Sequence, residues 1–281
     1  MVDVSLVVPT VDRPEALYNL LRHLEHQSVR PFEVVVVDQS AREDVRSAAV
    51  PGVRTIRIAE RGLPNARNVG ARASRGDVLL FVDDDIIPDR DLVRFHAERY
   101  ADPGVAGVGG RIVGGYDAAR GQVGRFDARR GTVVRNFGAM EPCEVDHLPG
   151  GNMSFRRSVF ERTGGFDVAF GGSAIGEETD FCLRARAAGF RFVFEPRAAV
   201  EHLHLPTGGC REPDFARWVY WHAHNTTLFA LRHARRVAWP RFLLGRVARL
   251  GLWAVGRGSL PLLATGLRGL LRGMSTHARH A

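Results

Sequence analysis

The residues best placed to do chemistry in this chain are three adjacent carboxylates, Asp83, Asp84 and Asp85. They close a short apolar run, Val78-Leu79-Leu80-Phe81-Val82, which the turn-like pair Gly76-Asp77 opens. The run predicts a buried strand, and open α/β sheets bind their ligands at the carboxyl ends of strands. Neighbouring carboxylates repel one another unless positive charge lies between them. A divalent cation such as Mg²⁺ or Mn²⁺ supplies that charge and prefers oxygen ligands, including those of a diphosphate. The competing reading is a solvated acidic turn.

Two further apolar runs end in polar residues: Val4 to Pro9 leads into Thr10, and Phe32 to Val37 into Asp38. In a parallel sheet these ends line one edge and can converge on one ligand. Asp38 can accept hydrogen bonds from the N–H groups of a base, although an Asp after a strand also serves as a cap or turn residue. In Arg61-Gly62-Leu63-Pro64-Asn65-Ala66-Arg67-Asn68-Val69-Gly70, Gly62 permits close backbone approach. Arg67 lies at the start of a helix, where amide donors and a guanidinium favour phosphate; otherwise it sits on a solvated helix face. Glu177, Glu178 and Asp180 fall in the first turn of another predicted helix, where the macrodipole favours acids.

The elements that must position these residues alternate between strand and helix. Pro14 opens a helical pattern with Ala16, Leu17, Leu20, Leu21 and Leu24; Val53 to Ile58 is a half-exposed strand; Leu63 to Ser74 is a helix with Pro64 in its first turn; a further helix is predicted from Asp89 to Tyr100. This alternation implies a parallel sheet with helices on both faces. Gly107, Gly109, Gly110, Gly114 and Gly115 match no dinucleotide fingerprint and predict turns or bulges, and Tyr116 to Asp146 reads as mixed strands and a covering loop. Glu177 to Ala188 is predicted helical with Phe181, Leu183 and Ala187 inward, closed by Gly189, and Phe192 to Val200 is a strand broken at Pro196. Phe215 to His233 is an aromatic-rich helix. Beyond Trp239, Leu243, Val247, Leu250 and Ala254 form an apolar stripe, with Arg241, Arg246, Arg249 and Arg257 on about half of the wheel.

The chain has 281 residues and a formal net charge of +8, and all 39 of its basic residues are Arg. Residues 211–281 hold 12 of them against only Glu212 and Asp214, so the positive excess lies in the tail. Such a tail on a near-neutral body predicts an anionic partner surface. Cys143, Cys182 and Cys210 form no framework, which fits a reducing compartment. Asp3 and Ser5 interrupt the first apolar run, so no signal peptide is expected, and no uninterrupted apolar stretch of about 18–20 residues predicts a membrane span.

The order Val8-Pro9-Thr10, Val37-Asp38, Gly62 with Ala66-Arg67-Asn68-Val69-Gly70, Phe81 to Asp85, Gly150-Gly151-Asn152 and Gly176-Glu177-Glu178-Thr179-Asp180 resembles the family 2 glycosyltransferases of GT-A fold. The resemblance covers residues 3 to 205. It implies an α/β fold with a mainly parallel central sheet flanked by helices: a catalytic domain over residues 1–210, followed by an Arg-rich helical region over residues 211–281. It also implies a nucleoside-diphosphate-sugar donor, a divalent metal (Mg²⁺ or Mn²⁺) and inversion at the anomeric carbon. By position, Pro9, Thr10, Asp38, Gly62 and Arg67 would hold the donor. Asp83 to Asp85 resemble the family's DxD motif, with Asp85 the main metal ligand and Asp83 or Asp84 nearer the nucleotide sugar. Gly150, Gly151, Asn152 and Glu177 would shape the sugar and acceptor pocket. Glu178 stands where the family usually has an Asp as general base, one methylene longer but chemically competent. His202 would complete the metal site, with His204 on the same strand face as its rival.

The partners expected are a UDP- or dTDP-type donor, because Asp38 suits uracil or thymine, and a saccharide or lipid-linked acceptor. Asp214-Phe215-Ala216-Arg217-Trp218 matches only the Arg-Trp end of the processive Gln-x-x-Arg-Trp motif, so transfer of one or few sugars is expected. Trp218, Tyr220 and Trp221 either pack within a helix or stack on an acceptor sugar. The tail either lies on an anionic membrane at its cytoplasmic face or packs on the catalytic domain; no nucleic-acid module accompanies it. Two other functions compete: a nucleotidyltransferase of related fold, and a non-catalytic nucleotide-sugar-binding adaptor at the membrane.

Overall fold

The computed structural model describes residues 2–31, 33–41, 50, 52–114 and 121–280; Phe32, Gly115 and Tyr116, which enter the sequence reading, lie outside them. Strands β1 (Val4–Thr10), β2 (Glu33–Asp38), β3 (Val53–Arg57) and β4 (Val78–Val82) are parallel, in the order β3-β2-β1-β4. β10 (Asn152–Arg156) then enters antiparallel between β4 and β6 (Val105–Val113), and β11 (Arg191–His202) runs parallel to β6. Short strands β5 (Ile86–Pro88) and β9 (Cys143–Val145) pair antiparallel with β11. The sheet is thus parallel in its first half and mixed in its second. β7 (Arg125–Asp127) and β8 (Thr132–Val134) form a separate ribbon.

The sheet divides two cores. On β4, Val78, Leu80 and Val82 face one and Leu79 and Phe81 the other, as the two-residue period of a strand requires. Helices α1 (Pro14–Leu24) and α3 (Leu92–Arg99) cover the first; α2 (Leu63–Ala73), α4 (Arg157–Thr163) and α5 (Glu177–Ala187) contribute to the second. Helix α2 lies so close to the sheet that a Cβ on Gly70 would overlap the Val7 side chain. This α/β architecture agrees with the alternation read from the sequence.

Several details differ from the sequence expectations. α3 begins at Leu92 rather than Asp89, because the Asp89 carboxylate accepts from the Asp91 N–H and holds a turn there. In α5 the buried residues include Phe181, Cys182 and Ala185, while Leu183 is half-buried and Ala187 exposed. Burial of Glu177 and Asp180 turns the helix away from the expected face. β11 is not broken at Pro196 but bulged: Glu195 pairs with Gly110 and Ala199 with Arg111, and the strand resumes as far as His202. A residue without an N–H fits such a bulge.

The C-terminal helices α6 (Phe215–His233), α7 (Trp239–Gly256) and α8 (Leu260–His280) share a small core of Val219, Ala223, Leu250, Leu262 and Leu270. α6 also docks on the body. Its Arg232 and His233 reach the buried Asp180, Asn225 Nδ2 donates to Gly171 O at 2.8 Å, and Trp221 covers Gly171 and Gly172. Val247, expected inward, is 44% exposed, whereas Leu250 and Ala254 are buried. Among the described residues no helix is long and apolar enough to cross a membrane.

His96 of α3 is buried between Ser154 and Asn152 of β10, each 2.8 Å from a ring nitrogen. Burial pushes its pKa down to about 4, against 6.5 ordinarily. Between these values the unfolded chain binds a proton that the native state refuses, so stability falls as pH drops from about 6.5 to about 4. The loss should approach ~3 kcal/mol, and His96→Gln should flatten that part of the urea-denaturation profile against pH.

Candidate active site

β4 delivers Asp83, Asp84 and Asp85 to the carboxyl edge of the sheet, and they point in different directions. Asp84 is buried, accepting from Thr10 Oγ1 at 2.7 Å and from Arg13 Nη1 at 2.9 Å. Burial pushes its carboxyl up to about 6 despite these partners. The same Arg13 nitrogen lies 3.1 Å from Asp85 Oδ2. Arg13 also donates from Nε to Thr207 O at 2.7 Å and from Nη2 to Leu205 O at 3.2 Å. The Leu205 N–H in turn donates to Asp85 Oδ2 at 3.1 Å, so the chain after β11 is fastened to the acids.

His202 arrives from the resumed end of β11, which pairs His202 opposite Ile86 of β5, one residue beyond Asp85. Its Nε2 lies 3.5 Å from Asp83 Oδ2 and 3.6 Å from Asp85 Oδ1. Burial lowers the imidazole pKa, but the two carboxylates outweigh it and hold it above its ordinary value. Asp83, Asp85 and His202 offer two oxygens and one nitrogen, all within 4.8 Å of one another. This set suits a hard divalent ion such as Mg²⁺ or Mn²⁺. His204 stands outside the cluster; its N–H donates to His202 Nδ1 at 3.2 Å and so helps to orient the ring.

Asp83 borders two cavities. The larger, about 550 Å³, is lined by Pro9, Arg13, the three acids, His202 and the loop from Pro206 to Pro213, with Trp218 at its wall. The smaller, about 220 Å³, is lined by Arg67, Arg135, Gly150, Gly151 and residues 173–178, including Glu177 and Glu178. A Cβ on Gly151 would come within 2.8 Å of Asp83 Oδ2, so a larger residue there would push that carboxylate aside. Gly150 lies between Arg67 and Glu178, and a Cβ there would make ordinary contact with both.

Glu177 and Glu178 are adjacent but differ in kind. Glu177 is buried against Arg67, whose Nη1 donates to it; Arg67 Nη2 donates to Gly150 O at 2.7 Å and lies 3.4 Å from Asp83 Oδ1. Arg67 is only 2% exposed, and its two terminal nitrogens hold Glu177, Gly150 and Asp83 at the edge of the smaller cavity. Glu178 is half-buried and lines the smaller cavity, with Thr179 Oγ1 3.3 Å from its Oε1.

Other expected residues have different surroundings. Asn152 is taken out of the pocket. It is fully buried, donating to Arg111 O and Ala198 O and meeting His96, because β10 turns it to the face opposite Met153. Thr10 Oγ1 donates to Asp84, which Arg13 also holds, whereas the Asp83 side chain is 30% exposed. Asp38 Oδ1 accepts from Ser40 N at 2.8 Å, and Oδ2 lies 3.8 Å from Arg57 Nε. The Gly62 N–H is held by Gln39 Oε1 at 2.6 Å.

Two arginines were missed from the sequence. Arg13 could have been found as the first cation after the strand end at Thr10. Arg135 lines the Glu178 cavity and makes no ion pair among the described residues, but it comes from the aperiodic stretch before β9 and carries no sequence signal.

Residues 5–164 match the family model for glycosyl transferase family 2. The chain belongs to that family. The match spans Arg13, Arg67 and the three acids and stops before Glu178 and His202. A pre-mycofactocin glycosyltransferase of Mycobacterium tuberculosis is 30% identical over 210 residues, covering 72% of this chain and 43% of its own length. A glucosyl-dolichyl phosphate glucuronosyltransferase of Haloferax volcanii is 30% identical over 216 residues, covering 71% of this chain and 68% of its own length. The chain thus spans less than half of the mycobacterial relative. Among solved structures, a mannosyltransferase of Pyrobaculum calidifontis in complex with GDP-mannose and Mn²⁺ superposes with a TM-score of 0.58 at 17% identity, covering 99% of this chain and 89% of that one. This likeness shows that the GT-A fold is shared.

Two measurements test this family 2 site. Glu177→Ala should cost about 3–5 kcal/mol, because it strands the buried Arg67, whereas Glu178→Ala should cost under about 1 kcal/mol; chemical denaturation compares them. Gly151→Ala should displace the Asp83 carboxylate and weaken Mn²⁺ binding about tenfold or more, read by calorimetric titration.

Proposed function

We propose that this chain is a metal-dependent inverting glycosyltransferase. It transfers a sugar from a nucleoside-diphosphate sugar to an acceptor hydroxyl in glycan, cell-wall or glycolipid synthesis. The observation that carries the reading is the position of Asp83. It belongs to the Asp83-Asp85-His202 cluster in the larger cavity and also borders the smaller cavity that Glu178 lines. A donor with its diphosphate at the cluster would present its sugar toward Glu178.

The residues divide the work. Asp83, Asp85 and His202 would hold the divalent ion, which would supply stabilisation of the negative charge that develops on the leaving diphosphate. Arg13 balances Asp84 and Asp85 and fixes the loop over the larger cavity. Pro9, Thr10 and Gly62 shape the donor edge of the sheet, and Asp38 faces the base, where its carboxylate suits the imide N–H of uracil or thymine. Arg67 with Glu177 positions Gly150 and Asp83. Glu178 takes the proton from an acceptor hydroxyl that attacks the anomeric carbon opposite the leaving group, which inverts configuration without a covalent intermediate.

The acceptor proposed is a saccharide or a lipid-linked sugar, in keeping with the dolichyl phosphate in the haloarchaeal relative's name. Residues 1–210 form the proposed catalytic domain. Residues 211–281 form a helical region making peripheral contact with an anionic membrane at its cytoplasmic face.

The test pairs binding with transfer. One nucleoside diphosphate, UDP or dTDP, should raise Tm only with Mn²⁺, and Asp85→Ala should abolish the shift. Glu178→Gln should keep the shift yet lower kcat by about 10² or more, and NMR of the product should show the anomeric configuration opposite to that of the donor. Release of pyrophosphate from a nucleoside triphosphate in place of sugar transfer would make the chain a nucleotidyltransferase. An intact donor throughout would make it an adaptor.

A further inference from the structure

Away from the donor and acceptor cavities, a third cavity of about 540 Å³ opens between the β7–β8 ribbon and α7. Its lining is Arg130, Gly131 and Thr132 from the ribbon, and Arg241, Phe242, Gly245, Arg246 and Arg249 from the helix. Four guanidinium groups therefore share one concavity without an acid in its wall. Arg130 has Asp127 of its own turn at 3.8 Å, but among the described residues no carboxylate pairs with Arg241, Arg246 or Arg249. The sequence supplies none nearby, since no Asp or Glu follows Asp214.

Arg246 is held in place rather than left to move away. Its Nη1 lies 2.8 Å from His222 Nε2, its guanidinium packs over Phe242, and its Nε is buried without a hydrogen-bond partner. Burial and the nearby Arg249 push its pKa down to about 10. Like charges fixed this close repel, and an anion between them removes that cost. Gly245 leaves the floor open, as a Cβ there would meet nothing within 4 Å. Arginine forks suit phosphate oxygens in particular.

Beside this row of the helix lies an apolar one. Pro240, Leu244, Val247 and Val255 follow helical spacing, and each of Arg241, Gly245 and Ala248–Arg249 sits next to it, about 100° further round. Leu244 is 73% exposed and Val255 81%, and Leu252 and Leu260 add 73% and 80%. Apolar side chains at such exposure beside clustered arginines match the two layers of a bilayer surface: anionic headgroups and the acyl boundary beneath.

We infer that the Arg130-Arg241-Arg246-Arg249 cavity is a discrete binding site for the phosphate headgroup of an anionic lipid, with the Leu244-Val255 row inserted beside it. The inference deepens the proposed membrane contact and rests on it; it is independent of the donor chemistry.

The experiment is co-sedimentation of the full chain with phosphatidylglycerol–phosphatidylcholine vesicles and with pure phosphatidylcholine vesicles. Three double variants are compared with the wild type: Arg241→Glu with Arg249→Glu, Leu244→Ser with Val255→Ser, and Arg268→Glu with Arg279→Glu as a charge-matched control on α8. All change exposed residues, and the Tm shift with nucleotide and Mn²⁺ checks that each remains folded with an intact donor site. The wild type should bind only the anionic vesicles. The cavity pair should weaken binding at least tenfold more than the control pair, and the apolar pair should weaken it too. Equal losses in the cavity and control pairs would leave diffuse charge as the attraction, so the site would fall while membrane contact stands. If the wild type ignored vesicles but was stabilised by inorganic phosphate through Arg241 and Arg249, the site would be one for a soluble anion and the lipid assignment would be wrong. Binding to neither would overturn both.

Discussion

Three carboxylates at the end of a buried strand require a counter-charge, and Arg13 supplies it within the protein. One guanidinium nitrogen meets both Asp84 and Asp85, and the others bind the carbonyls of Leu205 and Thr207. A single side chain thereby ties the residue ahead of α1, the end of β4 and the loop after β11 into one unit. With Asp84 satisfied by Arg13 and Thr10, the free valence of the acidic run is left to Asp83 and Asp85. These are the two acids that meet His202. The site's charge is thus divided: Asp84 is neutralised inside by Arg13 and Thr10, while Asp85 is shared between Arg13 and the cluster it forms with Asp83 and His202.

His202 depends on a longer chain of causes. β11 must pair with β6, bulge at Pro196, resume, and pair with β5 before His202 stands opposite Ile86. β5 begins at the residue after Asp85, so the strand that brings the imidazole is registered against the residues it meets. The buried Arg67-Glu177 pair plays a similar part on the other side, holding Gly150 and Asp83 next to Glu178. Removing one member of such a pair leaves an uncompensated charge in the interior, which is why the pair holds geometry better than a solvated one would.

The C-terminal helices solve a different problem. α6 joins the body through Asp180, Gly171 and a cluster of Phe170, Leu228 and Phe229. α7 packs Leu243, Leu250, Trp253 and Ala254 against its neighbours and leaves Leu244, Val255, Arg241 and Arg249, apolar and basic in adjoining rows, exposed. A packed appendage and an interacting surface are therefore compatible, since they use opposite faces of the same helix.

The sequence by itself determined the elements and the chemical inventory. The runs of β1, β2 and β4 are largely apolar on both faces because these strands are buried on both. Acids at the end of Val78–Val82, the Gly62–Arg67 helix start and the Glu177–Glu178 turn could be read because local patterning places them. Tertiary structure decided which of these groups are free. Asn152 has the residue type of a pocket amide, yet the strand period turns it into the core, and Arg67 has the type of a phosphate ligand, yet burial commits it to Glu177. The ties of Arg13 and the meeting of His202, rather than His204, with Asp83 and Asp85 rest on contacts between segments far apart in the chain. Their roles follow from strand register, a bulge and the balance of buried charge, none of which has a local signature.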